Sequence, residues 1–125
     1  FSPEYHQAAE HGRFQAKMLT HKLLALPNPP TAIFAASDTQ AMGALEAARE
    51  AIVKVPEELS IIGFDDIEIA AYLRLSTIRQ PLYESGLRAV ELLLSCLENR
   101  ENRPQQIDLS LELIQRGTTA PPGKA

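Results

Sequence analysis

The chain is 125 residues long and 45% hydrophobic, one domain's worth and enough for a real core. Its net charge of −4 provides no clustered basic face for nucleic-acid phosphates, and no apolar stretch approaches the roughly 20 residues of a membrane span. The single cysteine, Cys96, excludes an internal disulfide and fits a reducing compartment.

Phe1-Ser2-Pro3 opens the chain without an initiator Met or a signal-peptide pattern, so it reads as the interior of a longer protein. Ser2 and Pro3 supply a hydroxyl cap and a first-position proline for a helix. Ala16, Leu19, Leu23 and Leu26 recur at spacings of three and four, carrying that helix to about Leu26, with Gly12 as its point of bending or breakage. Pro27, Pro29 and Pro30 end it and launch a strand over 31–36. Ser37-Asp38 caps a second helix, Thr39 to Ala51, rich in small residues (Ala41, Gly43, Ala44, Ala47, Ala48) that permit close approach of a neighbouring element. Residues 59–64 form a strand apolar on both faces, as in a buried parallel sheet, and a short helical piece follows over 67–73. A strand over 75–79 is stopped by Pro81. An amphipathic helix then runs from Tyr83 to Glu98, with Leu87, Val90, Leu94 and Leu97 spaced 3, 4, 3. Cys96, set among Leu92, Leu93, Leu94 and Leu97, is expected to be a small buried apolar residue. Residues 107–113 alternate cleanly, with Ile107, Leu109, Leu111 and Leu113 on one face, and predict a strand. The Pro-Gly-rich tail from Thr118 reads as loose.

Two apolar runs, 31–38 and 59–66, end in acid and are separated by one helix. As parallel strands they bring Asp38 and Asp65-Asp66 to one rim of the sheet, the rim where ligands bind in open α/β folds. Asp38 suits both helix capping and acceptance of ligand hydroxyls. Of Asp65 and Asp66, one is expected to face the crevice and accept hydrogen bonds from neighbouring hydroxyls of a sugar or ribose, and the other to cap the next helix. A glycosidase would need two carboxylates flanking one bond, and Asp38 with Asp65 is the available pair. No supporting catalytic motif accompanies them, and His6, His11 and His21 do not fall at the i, i+4 spacing of a helical metal site, so binding without chemistry is expected, with no metal and no cofactor.

Pro30-Thr31-Ala32-Ile33-Phe34-Ala35-Ala36-Ser37-Asp38, Ala41-Met42-Gly43-Ala44-Leu45, Val55-Pro56-Glu57-Glu58-Leu59-Ser60-Ile61-Ile62-Gly63-Phe64-Asp65-Asp66, Thr77-Ile78-Arg79-Gln80-Pro81 and the terminal Leu113-Ile114-Gln115-Arg116-Gly117-Thr118-Thr119-Ala120-Pro121 follow one another in order. In this combination the sequence closely resembles the lactose/galactose repressor family of bacterial transcription regulators. The resemblance implies a periplasmic-binding-protein-like α/β fold, an open three-layer parallel sheet with helices on both faces, here as a partial subdomain. It implies residues 1–79 as a truncated effector-binding subdomain, 80–106 as a crossover and helix that would pack in an absent subdomain, 107–117 as a returning strand and 118–125 as a flexible tail. Carried over by position, Asp65 contacts ligand hydroxyls, with Ser37, Asp38, Gln80 and Phe1 also lining the ligand site. A dimer interface is implied at Ala41, Ala44, Leu45, Ala48 and Tyr72. The partners implied are a polyhydroxylated small-molecule effector, a second copy of the chain, and DNA only through a head domain outside it, in the cytoplasm and without a membrane. With that subdomain absent, the 31–36 strand is expected to be a bare edge and helix 83–98 to lack its usual cover, favouring self-association. The alternative is a periplasmic sugar-binding protein of a transport system.

Overall fold

The computed structural model describes residues 3–8, 10–98 and 105–122. Elements follow in the order α1 (Arg13–Leu24), β1 (Ala32–Phe34), α2 (Asp38–Glu50), β2 (Ser60–Asp65), α3 (Glu68–Tyr72), β3 (Ser76–Arg79), α4 (Leu82–Glu98) and β4 (Glu112–Ile114). The strands form one sheet in the order β1-β2-β3-β4, so β1 lies at its edge. β1 pairs parallel with β2, with Ala32 opposite Ser60 and Phe34 opposite Ile62. β2 pairs parallel with β3, with Ile62 opposite Ser76 and Asp65 opposite Arg79. The sheet is open and mixed, as in periplasmic-binding-protein-like folds.

The chain divides into two compact units, Phe1–Arg79 with Leu113–Ala125, and Gln80–Glu112. In the first unit, alternate β2 residues Ile61 and Gly63 are buried and turn toward α2, while Ile62 and Phe64 turn the other way. The core gathers Ala41, Ala44 and Ala48 of α2 with Leu59, Ile61, Ala70 and Leu75. α1 packs on α2. A side chain at Gly43 would collide with the Arg13 carbonyl oxygen, so its absence is what lets the two backbones meet. Across the same contact Lys17 Nζ donates to Glu46 at 3.1 Å and to Glu50 at 2.7 Å.

Several expectations are corrected. The first helix does not run from Pro3: residues Pro3–Tyr5 make a single 3₁₀ turn, and α1 begins only after Gly12. Its proposed cap Ser2 lies outside the described residues. Strand structure over 107–113 shrinks to Glu112–Ile114. Alternation gives a strand a face but not a partner, and 107–111 are assigned to no strand. The tail is not loose at Thr118. That residue is buried, the Ile61 N–H donates to its carbonyl at 2.7 Å, and its hydroxyl both donates to the Ile61 carbonyl at 2.6 Å and accepts from the Ser76 N–H at 2.9 Å. It thereby closes the start of β2 and β3 where the two begin to pair.

In the second unit α4 stands where the periodicity places it, but none of its residues is buried. Leu87, Val90, Leu94 and Leu97 are all exposed. Cys96, expected to be buried, is exposed as well, because burial needs a packed neighbour and not only a row of leucines.

Candidate functional site

The carboxyl ends of β1, β2 and β3 make a common lip, and the acids of the sequence meet there. α2 begins at that lip because the Ser37 hydroxyl, in extended backbone, accepts from the Gln40 N–H at 3.2 Å. Ser37 is therefore the cap and Asp38 the first helical residue, one position earlier than the expected start at Thr39 with Asp38 as a capping residue. Asp38 has no exposed surface. Its Oδ1 accepts the Thr77 hydroxyl at 2.6 Å and its Oδ2 accepts the Ile67 N–H at 2.9 Å. Gly63 lies against it, and a side chain there would collide with Asp38 Oδ1. One carboxylate thus ties the start of α2 to β3 and to the entry of α3. Ser37 and Asp38, both expected to line the ligand site, are buried, with Ser37 4% exposed.

Asp65 closes β2, the strand between β1 and β3, and is partly exposed at the lip. Asp65 and Asp66 have φ of 113° and 57°, so two consecutive non-glycine residues occupy the left side of the backbone map. Asp66 does not cap a helix. Its Oδ2 accepts from Arg79 Nε at 2.8 Å and its Oδ1 from Arg116 Nη2 at 2.6 Å, with its side chain 7% exposed. Burial opposes its charge, but the Arg116 and Arg79 guanidiniums outweigh that and hold the carboxyl below its ordinary range. Arg116 is itself held, with Nη1 donating to the Leu75 carbonyl at 2.7 Å and its N–H to the Ser76 hydroxyl at 2.9 Å.

Gln80 is the first residue of the second unit. Phe1 lies outside the described residues. Of the residues expected at a dimer surface on α2, Ala41, Ala44 and Ala48 are at most 2% exposed in the chain's own core, and Leu45 is partly buried against it. Their small side chains serve the approach of the sheet within one chain. Tyr72 of α3, by contrast, is 88% exposed.

Thr77, Arg79 and Arg116 were given no role on sequence grounds. Arg116 lies 50 residues from Asp66, and no local spacing signals such a pair. A separate cavity of about 550 Å³ runs beside β1, between Tyr5, Leu19, Leu23, Ile33 and Ala35, and Asp65 is not among its walls. Among the described residues no cluster of metal-ligating side chains occurs, and no helix is long and apolar enough to cross a membrane.

Residues 2–119 match the periplasmic binding protein-like domain family. The chain is 46% identical over 100 residues to the HTH-type transcriptional repressor CytR of Escherichia coli K12, covering 78% of this chain and 29% of that protein. It superposes with a TM-score of 0.82 on a putative LacI transcriptional regulator from Bacillus cereus subsp. cytotoxis, at 30% identity, over 87% of this chain and 39% of that one. A LacI family regulator from Enterococcus faecium with bound ribose gives a TM-score of 0.77 at 32% identity, over 88% of this chain and 41% of that one. The chain thus spans well under half the length of these relatives. On this match and these likenesses, the chain belongs to the periplasmic binding protein-like domain family, as part of a LacI-family effector-binding core.

Proposed function

We propose that this chain is the effector-binding and dimerisation portion of a cytoplasmic bacterial transcription repressor whose DNA-reading head lies outside it, and that it is not an enzyme. The observation that carries this reading is the position of Asp65: it ends the middle strand of a parallel trio, at the lip where open α/β sheets bind ligands. A carboxylate there accepts charge-assisted hydrogen bonds from adjacent hydroxyls, which suits a sugar or a nucleoside. The ribose-bound relative supports that ligand class. In the whole regulator an effector that binds one arrangement of the two subdomains better than the other shifts their populations, and with them operator affinity. Asp38, committed to Thr77 and Ile67, belongs to the scaffold of this site rather than to its ligand shell. A second copy would dock on α3 and its flanks, where Ile69, Tyr72 and Leu73 are exposed, rather than on α2.

The test is a thermal-shift screen of pentoses, hexoses and nucleosides on the regulator that contains this chain. An effector at about 100 times its Kd adds about 2.7 kcal/mol of stability, which for a core of that size is a rise of roughly 5–10 °C. Asp65→Ala should abolish the rise and the response to effector while leaving operator affinity within about twofold. A full thermal response retained in Asp65→Ala, or no response to any compound of these classes, refutes the reading.

A further inference from the structure

We propose that Asp66, clasped by Arg79 and Arg116, is the positioning residue of the candidate ligand site: it fixes the backbone that carries Asp65 and pins it to the roots of both segments joining the two units. The ligand half of this inference rests on the function proposed above.

The backbone at 65–66 needs a restraint. Two consecutive non-glycine residues with φ of 113° and 57° occupy conformations that persist only where the surroundings over-determine them. On one side the Ile67 N–H, next in the chain, is held by Asp38. On the other, each oxygen of Asp66 has its own guanidinium, at 2.8 Å and 2.6 Å. An exposed ion pair would contribute little. This one is short, charge-assisted and 7% exposed on the Asp66 side, and Arg116 is additionally fixed to Leu75 and Ser76.

The two arginines occupy particular places in the topology. Arg79 is the last residue of β3, directly before Gln80, where the second unit begins. Arg116 follows β4 by two residues, and the second unit ends at Glu112, the first residue of that strand. The outgoing and the returning connection are therefore anchored to one carboxylate, and that carboxylate is the neighbour of Asp65. A ligand that loads Asp65 acts on the clasp through a single peptide unit, and by reciprocity the state of the clasp acts on ligand affinity.

Amide hydrogen exchange on the ligand-free chain tests the clasp directly. Asp66→Asn should accelerate exchange at Gln80 and Leu82 and at Ile114 and Gln115 together by at least tenfold, with the α2 amides of Ala44 and Ala47 unchanged. Acceleration in one segment alone, in all elements equally, or in neither segment overturns the proposal. Calorimetry on the regulator containing this chain, with D-ribose and cytidine as probes, tests the positioning role. Asp66→Asn and Arg116→Gln should each weaken binding at least tenfold, and Arg116→Lys should recover most of that loss, which a merely structural residue would not show. If the unmodified protein binds a probe and Asp66→Asn binds it equally well, positioning is overturned while the ligand reading stands. If the unmodified protein binds neither these probes nor any pentose, hexose or nucleoside of the thermal-shift screen, the ligand reading falls and the positioning role with it; if the screen gives another ligand, that ligand replaces the probes and the same two outcomes decide.

Discussion

Removing the Asp38 carboxylate should cost more than its place at a helix start would suggest. A helix-capping residue replaced by alanine loses about 1 kcal/mol. Asp38 instead accepts from Thr77, a residue with no exposed surface, at 2.6 Å, and from the Ile67 N–H at 2.9 Å. Asp38→Ala strands the Thr77 hydroxyl in the core, where an unsatisfied donor costs about 1–3 kcal/mol. Ile67 is 38% exposed, so its N–H can recover water and adds less. The total is about 3 kcal/mol. Thr77→Val removes the same donor with little change of shape, so in that background Asp38→Ala should cost about 1.5 kcal/mol less. Urea denaturation of the two single variants and the double variant measures this coupling at 25 °C. Additive costs, with coupling below about 0.5 kcal/mol, would refute the argument that Asp38 exists to satisfy Thr77.

Ile52 has φ of 59° and is 87% exposed, so its branched side chain burdens the end of α2 without packing in return. Ile52→Gly relieves about 1–2 kcal/mol of left-handed strain against a loss of about 0.5–1 kcal/mol to unfolded-chain entropy, a net gain of about 0.5–1 kcal/mol readable as a higher Tm. Because the clasp lowers the Asp66 pKa, its stabilisation is fully present above the ordinary value near 3.8 and is lost as pH falls through the lower, folded-state value. Asp66→Asn should therefore flatten the acid limb of a stability–pH profile without changing its shape above pH about 5. An unchanged acid limb would show that the ion pairs do not form in solution.

The parallel pairs, the order of helices and strands and the meeting of acids at one lip were legible because they rest on local signals. Apolar runs, prolines and a Ser-Asp cap lie within a few residues of the elements they define. Where residues 31–36 and 59–64 predict strands, Ala32–Phe34 and Ser60–Asp65 form. What stayed hidden depends on partners distant in sequence. Ser37 and Asp38 are equally competent caps, and Thr77 in β3 decides between them. Asp66 could not be told from a cap without Arg116, which arrives only after the second unit. The alanines of α2 look the same whether they approach a second copy or the chain's own sheet, and here they meet the sheet. The spacing of Leu87, Val90, Leu94 and Leu97 defines an apolar stripe on α4, but a stripe does not specify its cover, and the exposure of Cys96 follows from that.

Thr118 lies 57 residues after Ile61 and 42 after Ser76, yet it satisfies the amides of both at the floor of the sheet. During synthesis those amides are made dozens of residues before their acceptor exists. The first unit therefore cannot complete its sheet while the ribosome is still building the second, and the nascent segment ending at Arg79 must wait for the chain to return. The residue that completes the base of the sheet is thus made after the second unit, so a chain stopped before Thr118 would leave the Ile61 and Ser76 amides without these acceptors.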